Sequence, residues 1–110
     1  MPMKPKPDAL DIGLGPVILQ KLNGVFAAYG GIEAVVLYGS RAKGTYHAGS
    51  DIDITIKGEK ITDSLIGNIE NDIDDLLLPY TFDISSWAQI DNAGLRDHIE
   101  RVGIVIYQKS

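Results

Sequence analysis

The chain contains no cysteine, which excludes disulfide staples and thiolate metal sites. It has no apolar run near the roughly 18 residues a membrane span requires. With no secretory leader in view, the expectation is a cytoplasmic protein without membrane contact. Positive charge is also short: ten Lys and Arg face fifteen Asp and Glu, a net charge of −5. Proteins that grip a phosphodiester backbone usually carry a basic patch, so stable nucleic-acid binding by this chain alone is not expected, and a protein partner would more naturally be basic.

What is present is an ordinary globular composition. Hydrophobic residues make up 45% of 110 residues, enough for one small domain that buries about 60–70% of its unfolded surface. At this length a second domain for an acceptor is not expected. Residues 1–12 read as a flexible tail, with Pro2, Pro5 and Pro7 opposing a helix, and residues 13–110 as the single domain.

Along that domain the hydrophobic period changes several times. Pro16, Val17, Ile18, Leu22, Val25, Phe26 and Tyr29 keep helical spacing, and Gly30 and Gly31 stop it. Residues 32–38 form a short Val-rich apolar run broken by Glu33, the pattern of a strand buried on both faces. A helical turn at 40–44 and a loop at 45–50 lead to a second strand at 51–57, closed by Gly58. Leu65, Ile66, Ile69, Ile73, Leu76 and Leu77 predict an amphipathic helix over 62–78, ended by Pro79, whose acidic residues read as a solvated face. A third strand at 81–85 sets Phe82 and Ile84 against Thr81, Asp83 and Ser85. Asp91 or Asn92 caps a last helix carrying Leu95, Ile99 and Val102, and a strand at 104–107 is placed at a sheet edge. The order α, β, short α, β, α, β, α, β predicts an α/β (α+β) domain with a small mixed sheet flanked by helices.

The chemistry concentrates in residues 38–57, Y-G-S-R-A-K-G-T-Y-H-A-G-S-D-I-D-I-T-I-K. Asp51, Asp53, Thr55 and Lys57 alternate with Ile52, Ile54 and Ile56, so both carboxylates are expected on one strand face. Aspartate is depleted from strands, and two on one face repel by about 3–4 kcal/mol at an effective dielectric near 20. A hard divalent cation such as Mg²⁺, which commonly arrives with substrate phosphates, offsets that repulsion. Gly39 lets the backbone approach a ligand without a Cβ, and Ser40 can present its amide and hydroxyl to a phosphate beside Arg41 and Lys43. Asp83 joins the two acids if the third strand neighbours the second.

A Gly-Ser pair followed after ten residues by Asp-x-Asp resembles the signature of the DNA polymerase beta-like nucleotidyltransferase superfamily, with Gly39, Ser40, Asp51 and Asp53 at the matching positions. The small size resembles the minimal nucleotidyltransferases of HEPN/MNT toxin–antitoxin pairs. The resemblance implies Asp51, Asp53 and Asp83 as catalytic metal ligands, and Gly39, Ser40, Arg41 and Lys43 as nucleotide contacts. It further implies two Mg²⁺ ions, ATP or another NTP as substrate, and a helical HEPN-type toxin as partner. The implied function is transfer of an NMP, AMP foremost, to a hydroxyl on that partner. Two alternatives are an antitoxin that acts by binding alone and an aminoglycoside-type small-molecule transferase.

Other signals weigh less. Ser40 to Lys43 also reads S-x-x-K, but the S-D-N and K-T-G elements of penicillin-recognising enzymes are missing. His47 and Tyr46 read as loop residues near a nucleotide at most, His98 as an ordinary helix residue, and Trp87 as packing.

Overall fold

The computed structural model describes residues 14–44 and 51–109. The proposed tail, the 45–50 loop, Tyr46 and His47 lie outside the described residues. The elements in chain order are α1 (Pro16–Ala27), β1 (Ile32–Tyr38), the one-turn α2 (Ser40–Lys43), β2 (Ile52–Gly58), α3 (Asp63–Asp74), β3 (Phe82–Ser86), a 3-10 turn (Trp87–Gln89), α4 (Ala93–Val102) and β4 (Ile104–Gln108).

The four strands form one mixed sheet in the order β3-β2-β1-β4. β1 pairs antiparallel with β2 and β4, whereas β2 and β3 run parallel. A parallel pair cannot be joined by a tight turn, and α3 supplies the crossover. The central place of β1 explains its nearly continuous apolar run. Val35 and Leu37 belong to the main core with Leu22 and Phe26 of α1, Ile69 and Ile73 of α3, and Ile52, Ile54 and Ile56 of β2. Val36 and Tyr38, on the opposite face, pack with Ile99 of α4, Trp87, Ile90 and Leu95. The architecture is therefore three-layered: α1 and α3, the sheet, then α4.

Local chemistry fixes the helix ends. Thr62 caps α3 by accepting from the Leu65 amide at 3.1 Å, and Asn92 caps α4 by accepting from the Leu95 amide at 2.9 Å. Gly103 ends α4 where a Cβ would lie 2.3 Å from the Ile99 carbonyl oxygen and 2.7 Å from Val36 Cγ1. The hydroxyl of Tyr29 donates to Asp72, tying the end of α1 to α3.

β2 runs to Gly58, β3 spans Phe82–Ser86 and β4 reaches Gln108, each within one residue of expectation, and two further differences change side-chain placement. Asp51 precedes β2 rather than opening it. α3 stops at Asp74, four residues before the expected end, because the chain reverses through Leu77, which takes the left-handed conformation at φ +55°. Leu76 still packs against the core, but Leu77 points away from it and is 88% exposed.

Candidate active site

The site lies on the α4 side of the sheet, where β1 ends and β2 and β3 begin. The isoleucines of β2 are drawn into the main core, so alternation turns Asp53, Thr55 and Lys57 to the other face. Asp53 pairs with Tyr38 across the antiparallel ladder and with Asp83 across the parallel one. The juxtaposition of Asp53 and Asp83 expected from sequence is thus built into the strand register. Asp51 stands just ahead of β2, exposed, with its charge felt at Asp53.

Gly39 forms the close approach between β1 and this acidic centre. Its φ of +77° and ψ of −154° belong to a region essentially reserved for glycine. A Cβ there would lie 2.3 Å from Asp53 Oδ2. Ser40 opens the turn of α2 directly after it, and Lys43 is exposed on the last residue of that turn. Arg41 is placed differently from its neighbours: it is buried, 3% exposed, with its guanidinium carbon 5.2 Å from the centre of the Tyr80 ring. Its position anchors α2 to the segment entering β3.

The electrostatics follow from crowding acids on a half-covered face. Burial raises the Asp53 carboxyl above its ordinary value, the charges of Asp83 and Asp51 add to the rise, and His98 opposes it. The Tyr38 hydroxyl is raised by burial and by the charges of Asp53 and Asp83, while a hydrogen bond with the Ser85 side chain acts the other way. Carboxylate oxygens are the donor set that a hard divalent cation prefers, and the glycine cradle leaves Asp53 unobstructed. Asp53 and Asp83 offer such donors side by side, although among the described residues no group of three His, Cys, Asp or Glu side chains is placed to hold an ion.

Tyr38, Ser85 and His98 join the site without having been singled out from sequence. His98 of α4 meets the Tyr38 ring edge-on, with centroids 6.4 Å apart, and so borders the site. Its place was readable: His98 follows Leu95 by three and adjoins Ile99, so it flanks the apolar stripe that docks α4 on the sheet. Ser85 lies two residues after Asp83 on the same strand face. Trp87 packs as expected, held between Lys57 Nζ at 4.6 Å and Arg96 Cζ at 4.1 Å from its ring centre.

With this geometry in place, comparison with known proteins gives the class. The chain matches the family described as polymerase beta, nucleotidyltransferase, over residues 20–110. It belongs to that family. No curated protein matches it. Among solved structures, it is similar in fold to a toxin–antitoxin determined with AMP-PNP, at TM-score 0.68 and 18% identity over 84% of this chain and 74% of that one. A mutant of the toxin–antitoxin MntA-HpeT gives TM-score 0.67 and 16% identity over the same shares of the two chains. The complex of tri-AMPylated Shewanella oneidensis HEPN toxin with MNT antitoxin gives 0.61 and 14% over 83% and 70%. The mixed sheet with its flanking helices is thus the nucleotidyltransferase fold.

Proposed function

We propose that this chain is the minimal nucleotidyltransferase and antitoxin of a HEPN/MNT-type pair, transferring AMP from ATP to a hydroxyl of its helical toxin partner. The observation that carries the reading is the register of Asp53 against Asp83, with Gly39 backed onto Asp53. The fold neighbours supply the biological setting: one was determined with AMP-PNP and another contains a tri-AMPylated HEPN toxin.

In this reading Asp51, Asp53 and Asp83 would hold Mg²⁺, which would supply neutralisation of phosphate charge and polarisation of the reacting oxygens. Ser40 and the amides after Gly39 hold the outer phosphates, with Lys43 at the rim. The acceptor oxygen forms a bond to the α-phosphorus as the bond to pyrophosphate breaks. Asp83, the outermost acid on the edge strand, stands on the acceptor side and receives the hydroxyl proton directly or through water. Tyr38 and Ser85 brace the face between the two strands.

The test is incubation of the co-purified pair with ATP and Mg²⁺, followed by intact-mass analysis of the partner. Addition of AMP units by the parent, and none by Asp83→Asn, is the expected result. A partner that is bound and neutralised yet never modified leaves only the binding antitoxin. Efficient adenylylation of an aminoglycoside by the isolated chain supports the small-molecule transferase instead.

A further inference from the structure

Beside the β3 edge of the sheet, on the face opposite Asp83, α3 and β3 enclose a groove of about 420 Å³. Its lining is mostly polar, with Ile73, Phe82 and Ile84 the apolar part, while Glu70 and Asp74 stand exposed at its rim. Two features of the chain between α3 and β3 run against local conformational and charge preferences. α3 carries Asp72 and Asp74 in its last turn, followed by Asp75 at its cap, and no basic residue, although the negative end of the helix dipole disfavours carboxylates. The turn leaving the helix places a leucine, Leu77, in the left-handed conformation and exposes 88% of it. Such conflicts between local preference and structure mark functional positions.

The charge distribution points to the occupant. Residues 61–95 contain seven acidic and no basic side chains, against eight acidic and ten basic in the rest of the chain. The negative charge of the molecule is therefore concentrated on the segment that builds α3 and β3. A second copy would bring the same acidic segment and a net charge of −5, a poor match for this rim.

We propose that the α3–β3 groove docks a positively charged segment of the partner protein, which sets an apolar side chain on Ile73, Phe82 and Ile84 and packs against Leu77. The inference rests on the reading that this chain acts with a protein partner. Its basic side chains pair with Glu70 and Asp74. β3 carries Asp83 on its other face, so a partner held in the groove stands beside the transfer site.

The test uses the full chain and the purified HEPN-type partner in calorimetric titrations at low and high salt. Glu70→Lys/Asp74→Lys should weaken partner binding at least about 10-fold at low salt, and the gap to the parent should narrow at high salt. Leu77→Asn, which suits the left-handed turn, should also weaken binding several-fold. Both variants should retain parental Mg²⁺-ATP affinity and a melting point no lower than the parent's. Glu33→Lys/Glu59→Lys makes the same change in net charge away from the groove and should bind as the parent does. Partner affinity within twofold of the parent for the groove variants, or equal losses from both charge reversals, overturns the groove assignment while leaving the proposed function standing. A parent chain that does not bind the partner overturns both.

Discussion

Replacing Gly39 with alanine tests the site through one added methyl group. The new Cβ would stand 2.3 Å from Asp53 Oδ2, so the two must separate by roughly 0.7 Å to reach even the 3.0 Å limit of real contacts. The backbone must also hold a non-glycine residue at φ +77° and ψ −154°, which costs about 1–3 kcal/mol. In a domain of this size each kcal/mol lowers the melting temperature by about 4–8 °C, so a drop of at least about 4 °C is expected. If Asp53 yields, its carboxylate leaves the register with Asp83, and a displacement near 1 Å can cost about 10²-fold in rate. Removing the carboxylate separates the two contributions. Asp53→Ala should stabilise the Gly39→Ala protein more than it stabilises the parent, with a coupling of about 0.5–3 kcal/mol. Asp53→Asn keeps an atom at the collision point and should show little coupling. Urea denaturation of the three single and two double variants, beside transfer assays, measures all of this. Zero coupling together with parental stability in Gly39→Ala would refute the close approach.

Further outcomes follow from other contacts. Burial and neighbouring acids raise the folded-state pKa of Asp53, so the folded chain binds a proton there more readily than the unfolded one. That term favours folding at low pH and is lost as pH rises from the ordinary aspartate value of about 3.9 through the elevated one. Asp53→Asn should therefore melt higher than the parent at pH 7, with the difference vanishing in acid, as differential scanning calorimetry would show. Arg96 donates to the carbonyls of Trp87 at 2.9 Å and Ile90 at 2.6 Å while lying over the Trp87 ring. Arg96→Met should cost about 2 kcal/mol, and the fluorescence of this single tryptophan reports it directly; unchanged emission and stability would show that the clasp carries no weight. Thr62→Ala should lose the α3 cap and about 1 kcal/mol, measured by urea denaturation. Asp83→Asn should lower transfer about 10²-fold or more while most Mg²⁺-ATP affinity remains, as single-turnover kinetics and calorimetry would separate.

Short-range patterns were the legible part of this fold. Ile32–Tyr38 appears as a strand with the predicted bounds, because its β-branched apolar run and the flanking glycines are local signals. Strand order was legible only in part: the edge place of β4 was expected and observed, whereas the central place of β1 and the edge place of β3 depend on pairings between residues far apart in sequence. The end of α3 was misplaced because Leu76 and Leu77 continue a helical spacing. The left-handed turn at Leu77 instead reverses the chain toward β3, a tertiary requirement that overrides the pattern. At the site, Asp53 and Asp83 follow from alternation once β2 and β3 are neighbours. The burial of Arg41 over Tyr80 does not, because nothing in the local pattern of a Gly-Ser turn announces packing against a ring far along the chain.

The same strands carry the core on one face and the site on the other, and this division ties activity to stability. Ile52, Ile54 and Ile56 are fully buried, each contributing about 1.5–3 kcal/mol relative to exposure. A slip of β2 by one residue would bring Asp53, Thr55 and Lys57 into that core and set the isoleucines toward α4. Burying unpaired charges there would cost several kcal/mol each, so the slipped register is strongly disfavoured. The isoleucines thus fix which way Asp53 points, and the parallel ladder then fixes Asp83 beside it. Repulsion between these acids, together with the partial burial of Asp53, strains this face in the free chain. The hydrophobic core on the other face tolerates that strain.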